Sequence, residues 1–151
     1  MSSFLTRCWL LADRVPTRLR WLAVLGCALF IFVLSAEPGL KVSSDPRVDS
    51  PARHLAHVAV YGLLTLLLGW ALIDPRAPAL TARIAGASAF LALAYGATDE
   101  WHQTFVPSRT GRLEDLIWDG LGAILGCVAL LLVIGARRRQ RDRDSSPRSS
   151  L

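Results

Sequence analysis

Four long apolar stretches, nearly free of charge, constrain this chain more than any other feature. A soluble helix needs a polar face, and these stretches lack one. The 17 basic and 12 acidic residues are crowded into the two ends and three short segments. A membrane-spanning helix takes about 20 residues, within a usual range of about 17–25. The stretches are Trp21–Ala36, Leu55–Ile73, Ile84–Thr98 and Leu116–Ala136.

Each stretch is expected to be an α-helix, because backbone groups in lipid must find their hydrogen bonds within the segment. Turn-forming residues follow the first three stretches, namely Pro38-Gly39, Asp74-Pro75 and Pro107. Pro51 suits the first turn of the second helix. The third stretch is short, so its helix is expected to continue past Asp99 towards Phe105. The sequence therefore predicts an all-α integral membrane bundle of four transmembrane helices.

The distribution of lysine and arginine predicts the orientation. Twelve of the 17 basic residues lie in the N-terminal segment, the segment after the second stretch and the C-terminal segment, and five lie in the other two connections. Because basic residues favour the cytoplasmic side, both ends are expected in the cytoplasm. The predicted organisation is a basic cytoplasmic tail over residues 1–20, a four-helix membrane domain over 21–136 and a basic, disordered cytoplasmic tail over 137–151.

Other classes of protein fit the sequence less well. The net charge of +5 comes from basic ends that flank apolar segments, which indicates membrane topology rather than a nucleic-acid surface. The three cysteines have no spacing typical of a disulfide framework or a metal site. Residues 1–36 also have the basic start and apolar run of a secretory signal. Leu34 fits the small-residue cleavage pattern poorly, so we expect this segment to be retained as the first span.

Polar residues gather at the same ends of three stretches, in helical register. Residues three, four or seven apart share a helix face. One such face carries His57 and Tyr61, a second carries Glu100 and Gln103, and a third carries Asp115, Asp119, Gly122 and Gly126. The two glycines of the third face suit a close helix contact, which would bring both aspartates against a neighbouring helix.

An ionisable group within a span is costly in lipid and is expected to face the bundle and find a partner. We therefore expect the second, third and fourth helices to form one hydrogen-bonded polar cluster at the outer surface. Arg109 is the expected counter-charge of Asp115 or Glu100, because its planar fork engages a carboxylate with two parallel bonds. The predicted members are His57, Tyr61, Glu100, Gln103, Arg109, Asp115 and Asp119.

These residues resemble the motifs of the VanZ-like family of bacterial membrane proteins. The resemblance covers about residues 20–135. It rests on three motifs, of which the second and third are long and specific. The motifs are His54-x-x-His57-x-x-x-Tyr61, Glu100-x-x-Gln103-x-Phe105-x-Pro107-x-Arg109 and Asp115-x-x-x-Asp119-x-x-Gly122. Two positions depart from the family pattern, since His54 stands where a lysine is frequent and Asp119 where asparagine is frequent. Both departures change the local charge balance.

The resemblance implies a small integral protein of the bacterial inner membrane, with four or five helices. The family's namesake is linked to resistance to a lipoglycopeptide antibiotic that acts at the cell wall. The resemblance therefore predicts a role in cell-envelope homeostasis or antibiotic tolerance, and it implies no particular reaction.

Three interpretations of the polar cluster remain open. The cluster is a structural element that pins helix ends and loops, or a site for a lipid-like ligand such as a lipid-linked wall precursor or an amphipathic drug, or a catalytic site. The catalytic candidates are His57, Glu100 and Asp115, as an acid–base pair of histidine and carboxylate. We expect binding rather than catalysis, no cofactor and no metal, since no local ligand motif is present. The lipid bilayer is the expected surrounding, and a homo-oligomer is compatible with the sequence.

Overall fold

A computed structural model gives the fold and describes residues 15–38, 45–73, 81–107, 109 and 111–145. The described residues form four α-helices and no strand: α1 (Thr17–Ala36), α2 (Pro46–Leu72), α3 (Thr81–Gln103) and α4 (Leu113–Ser145). α1 and α3 end at the same end of the bundle at which α2 and α4 begin. We call this end, with residues 104–107, 109, 111 and 112, the polar end. The all-helical prediction is confirmed over these residues.

α2 begins nine residues before the apolar stretch that identified it. Asp45 caps its start, since the carboxylate accepts a hydrogen bond of 2.9 Å from the backbone N–H of Arg47. Pro51 therefore lies inside the helix and not in its first turn, so that expectation was wrong. The reason is that a polar helical extension, residues 46–54, precedes the apolar stretch, and apolar periodicity alone does not detect such an extension.

The other helix ends bear out one expectation and correct another. α3 continues past Asp99 to Gln103, as predicted. α4 continues to Ser145, beyond the apolar stretch that ends at Ala136. The first nine residues of the tail that was expected to be disordered, 137–145, are therefore helical. Residues 146–151, and residues 1–14 of the N-terminal tail, lie outside the described residues.

Three helices, α1, α2 and α4, are long and apolar enough to cross a membrane. α3 does not meet the same criterion, because its apolar stretch has only fifteen residues and is rich in alanine. Large apolar side chains cover the outside of the bundle; Leu25 and Leu29 are each 61% exposed on α1. Such a surface is suited to lipid and not to water.

α2 and α4 form the closest helix pair, because glycines bring their backbones together. A Cβ atom added to Gly126 would lie 2.6 Å from the carbonyl oxygen of Gly62, and one added to Gly122 would collide with the carbonyl of Val58. The predicted role of the glycine stripe is confirmed. Thr65, fully buried beside this contact, bonds the Tyr61 carbonyl of its own helix.

α1 packs against α2 and α3 and is tied to them near its start and at its middle. Tyr95 on α3 donates a hydrogen bond of 2.6 Å to the carbonyl of Ala28. Arg20, 5% exposed, bonds the carbonyl of Trp70 near the end of α2 and lies over the Trp70 ring. The arginine thus satisfies a carbonyl at a helix C-terminus, where positive charge is also favourable.

Candidate functional site

A histidine–carboxylate pair joins α2 and α4 at the polar end. The Nδ1 atom of His57 lies 2.7 Å from Oδ1 of Asp119, which is fully buried. The backbone contact at Gly122, one turn further along α4, explains this closeness, because it leaves no space between the two helices. The short distance is typical of a hydrogen bond to a charged group.

A second contact joins the end of α3 to the start of α4. The backbone N–H of Arg112 donates a hydrogen bond of 2.8 Å to Oε2 of Glu100. The Gln103 amide donates to Oε1 of Glu100, at 3.3 Å, and to Asp99, at 3.1 Å. Gly111 makes the turn possible, because a Cβ atom at this position would collide with the Glu100 carbonyl. Burial raises the pKa of the Glu100 carboxyl, which lies beyond the apolar stretch of α3.

Asp115 lies against the start of α2 and not against the loop between α3 and α4. Its Oδ1 atom is 3.6 Å from Nη2 of Arg53 and 3.8 Å from Nε2 of His54. The His54 ring stacks on Trp118, with centroids 4.6 Å apart. Asp115 is 1% exposed and lies in the first turn of α4, where negative charge is favourable.

Arg109 contacts neither of the acids that were expected to pair with it. Its Nη2 and Nε atoms donate hydrogen bonds to the carbonyls of Leu34, at 2.8 Å, and Glu37, at 3.1 Å. The expected ion pair with Asp115 or Glu100 was therefore wrong. The physical reason is that carbonyls around the end of α1 lack the i+4 N–H partners of a continuing helix and compete for the guanidinium; the Leu34 carbonyl accepts a long bond of 3.4 Å from the Glu37 N–H.

A cavity of about 190 Å³ opens beside the His57–Asp119 pair, between α1, α2 and α3. One wall is apolar, and polar side chains from α2, α3 and the loop lie around the rest. The lining residues include Ile31, Leu34, Ser35, Arg53, His57, Val60, Tyr61, Asp99, Gln103 and Arg109. His57 thus lines the cavity while its Nδ1 atom contacts Asp119 behind it.

Several buried polar atoms of the lining residues have no hydrogen-bond partner within the described parts of the chain. They are Nε of Arg53, the hydroxyl of Tyr61, the hydroxyl of Ser35 and Oδ1 of Asp99. Such atoms are costly to bury, and most buried polar groups in proteins are paired. These buried atoms belong to residues that line the cavity, and their hydrogen-bonding capacity is unused by the described residues.

Two chemical capacities follow from this arrangement. The imidazole of His57, oriented by a carboxylate, has the form of an acid–base group. His57, Glu100 and Asp119 also present ligand atoms that all lie within 4.8 Å of one another, which is the donor set of a divalent metal site.

The seven residues predicted from the sequence divide into three groups. His57, Glu100 and Asp119 meet at one point, with Gln103 bonded to Glu100. Tyr61 and Arg109 lie around the cavity, and Asp115 lies beside Arg53.

The sequence predictions did not assign Arg53, Asp99, Ser35 or Gly111 to the site. Arg53 and Asp99 were detectable, because both are charged residues beside the motif positions. Ser35 and Gly111 gave no signal, since their roles depend on contacts with distant segments.

The comparison with protein families identifies the VanZ/LLP1 family. The model of the VanZ/LLP1 family matches residues 21–134, most of the chain, including all the helix segments that build the polar end. No curated protein and no solved structure matches the chain.

Proposed function

The chain belongs to the VanZ/LLP1 family, and from that premise we propose that it binds a lipid-like or wall-associated molecule with an anionic headgroup in the cavity at the polar end. In this proposal the protein is a four-span protein of the bacterial inner membrane with both ends in the cytoplasm. It acts in cell-envelope homeostasis or in tolerance of glycopeptide-type antibiotics. A lipid-linked wall precursor and an amphipathic drug share the required chemistry.

The observation that carries the proposal is the combination of unpartnered polar atoms with an apolar wall. Among the described residues, Arg53 has an unbonded Nε–H and Tyr61 an unbonded hydroxyl; both atoms are buried in residues that line the cavity, and a small side-chain movement would bring either to a phosphate or sugar oxygen. Ile31, Leu34 and Val60 supply apolar surface for the start of an acyl or prenyl chain. A guanidinium with aromatic and aliphatic neighbours suits a phosphate at the membrane interface.

The orientation rests on the excess of basic residues in the two tails and the connection between α2 and α3. It places the polar end outside, where wall precursors and drugs are met. Retention of residues 1–36 is favoured by the bond from Arg109 to the end of α1, because cleavage would remove the Leu34 carbonyl that accepts it. Reporter fusions to residues 104–112, which we expect on the outer side, test the orientation. A cytoplasmic position would contradict it.

Lipid binding is the direct test. The full chain in nanodiscs of phosphatidylethanolamine is titrated with a polyprenyl phosphate or with phosphatidylglycerol, and bound lipid is counted by native mass spectrometry. We expect Arg53→Ala and Tyr61→Phe each to weaken binding about tenfold or more, equivalent to at least about 1.4 kcal/mol. Arg83→Ala, an exposed arginine at the other end of α3, is the control. Equal binding by the Arg53 and Arg83 variants would refute a site in this cavity.

A cellular test separates binding from a structural role. Glu100→Gln and Arg109→Ala are expressed in a deletion strain, and both abundance and envelope phenotype are measured. A binding site predicts normal abundance with loss of the phenotype, whereas a scaffold predicts loss of abundance. Full phenotype at normal abundance in both variants would show that these residues have no functional role.

Catalysis is the second candidate, and a specific contact favours it. Asp119 occupies Nδ1 of His57, which leaves Nε2 as the ring nitrogen available to a molecule in the cavity. An enzyme acting on a lipid-linked substrate would use this imidazole to move a proton. His57→Gln keeps hydrogen-bonding capacity but removes proton transfer near neutral pH. A binding protein tolerates this change, whereas an enzyme loses its activity.

A further inference from the structure

We propose that His57, Glu100 and Asp119 together bind one divalent transition-metal ion of the Zn²⁺ or Mn²⁺ class. This inference rests on observations other than those of the lipid proposal: of the three residues His57 lines the cavity, whereas Glu100 and Asp119 are not among the lining residues. It departs from the expectation drawn from the sequence, which found no local ligand motif. The donor set comes from three different helices, so no spacing within one segment could show it.

The three side chains form a donor set that suits a divalent metal ion. One imidazole and two carboxylates are ligands that Zn²⁺ and Mn²⁺ accept, and three protein ligands leave a coordination position open. The ligand atoms lie within 4.8 Å of one another. Ligands of a tetrahedral ion at about 2.1 Å are about 3.4 Å apart, so the widest pair must approach. Glu100, with its three side-chain torsions, is the residue best able to make that movement.

One buried oxygen atom of the proposed site lacks a hydrogen-bond partner within the described part of the chain. Oδ2 of Asp119 is fully buried and has no hydrogen-bond partner among the residues that the structure describes. It faces the α3 surface shared by Gly96 and Glu100, since a Cβ atom at Gly96 would lie 2.9 Å from it. The absent side chain at Gly96 therefore keeps space beside this oxygen. A bound ion would supply the missing partner.

The negative charge of buried acids near the proposed site also favours a cation. Asp99, Glu100, Asp115 and Asp119 are at most 6% exposed. Within the described ranges, one guanidinium comes within 4.0 Å of any of these carboxylates. It is that of Arg53, which lies near Asp115. Buried charges require compensation. A divalent cation would compensate the two acids of the proposed site.

Neighbouring groups hold the ligands as the surroundings of a metal site do. The Arg112 N–H and the Gln103 amide each donate a hydrogen bond to the Glu100 carboxylate. Such partners orient ligands and raise metal affinity. Side chains on three helices, held by backbone packing at Gly122, would give the ion little freedom to choose another geometry.

Metal binding to the full chain tests the proposal. Protein in nanodiscs is stripped with chelator, dialysed against micromolar Zn²⁺ or Mn²⁺, and analysed by elemental mass spectrometry. We expect about one ion per chain in the wild type, and an occupancy at least about tenfold lower in Asp119→Asn and His57→Gln. Visible absorption bands after loading with Co²⁺ report whether an imidazole and carboxylates are the ligands. Circular dichroism and gel filtration verify that each variant is folded.

Two matched acids serve as controls. Asp99→Asn removes a buried carboxylate outside the proposed donor set, and Glu114→Gln removes an exposed one on α4. Both variants are expected to keep full occupancy. A wild type that retains less than about 0.2 ion per chain would overturn the proposal. Equal losses in the Asp99 and Asp119 variants would also overturn it, because they would show a diffuse attraction of cations.

Discussion

The contact between α2 and α4 makes Gly126→Ala the most informative single substitution. The new methyl carbon would lie 2.6 Å from the carbonyl oxygen of Gly62 and 2.9 Å from Cβ of Thr65. Ordinary contact begins at 3.4 Å. The two helices must therefore separate by about 0.8 Å, since backbone atoms cannot rotate out of the way.

The cost follows from this separation. Overpacking of this kind costs about 1–3 kcal/mol, whereas alanine gains about 0.5–1 kcal/mol over glycine within a helix. We expect a net loss of up to about 2.5 kcal/mol, with a central value of about 1 kcal/mol, in the free energy of unfolding. The same separation would lengthen the 2.7 Å contact between His57 and Asp119 to about the limit of a hydrogen bond. The site would therefore loosen together with the fold.

Unfolding in mixed micelles, with increasing SDS and circular dichroism as the signal, measures the change. Gly86→Ala is the matched control, because nothing lies within 4 Å of a Cβ atom at that position on α3. It is expected to be as stable as the wild type or slightly more so. If Gly126→Ala unfolds at the same SDS fraction as Gly86→Ala, the reasoning about the α2–α4 contact is refuted.

Three further substitutions test other parts of the bundle. Arg20→Met removes a donor from the Trp70 carbonyl and is expected to cost about 1–3 kcal/mol, measured by SDS-induced unfolding. Tyr95→Phe removes the bond to the Ala28 carbonyl, and we expect thermal denaturation to show a loss of about 0.5–1.5 kcal/mol. Because burial raises the pKa of Glu100, the stability linked to its protonated form is present at low pH and is lost as pH rises through the folded-state pKa. Unfolding free energies of chelator-stripped protein, measured across this range, should decline less in Glu100→Gln than in the wild type.

The helices were largely predictable from the sequence, because membrane-like stretches are long and uniform. Their ends were less predictable. The extension of α2 back to Pro46 depends on the Asp45 cap and on polar residues that apolar periodicity does not register. The helical residues after Ala136 were missed for a similar reason, since a run of arginines is compatible with either a helix or a disordered tail.

The site was predictable where its residues repeat on one helix face. His57, Glu100 and Asp119 were assigned to one cluster because each lies on a polar stripe at the same end of its helix, and the structure brings them together. The partner of Arg109 was not predictable in this way. Its choice between a carboxylate and the carbonyls ending α1 depends on where α1 ends in space, and residue spacing holds no information about that position.

The pairing of His57 with Asp119 also has a consequence for the order in which the site is assembled during synthesis. The two residues are 62 positions apart, on helices that α3 separates in the chain. During synthesis the histidine is made well before its carboxylate partner, and α3 must be made in between. The last helix therefore completes the site and closes the glycine contact in one docking event. A nascent chain lacking α4 holds three helices but not the carboxylate partner of His57. The site is therefore complete only when the whole bundle has assembled.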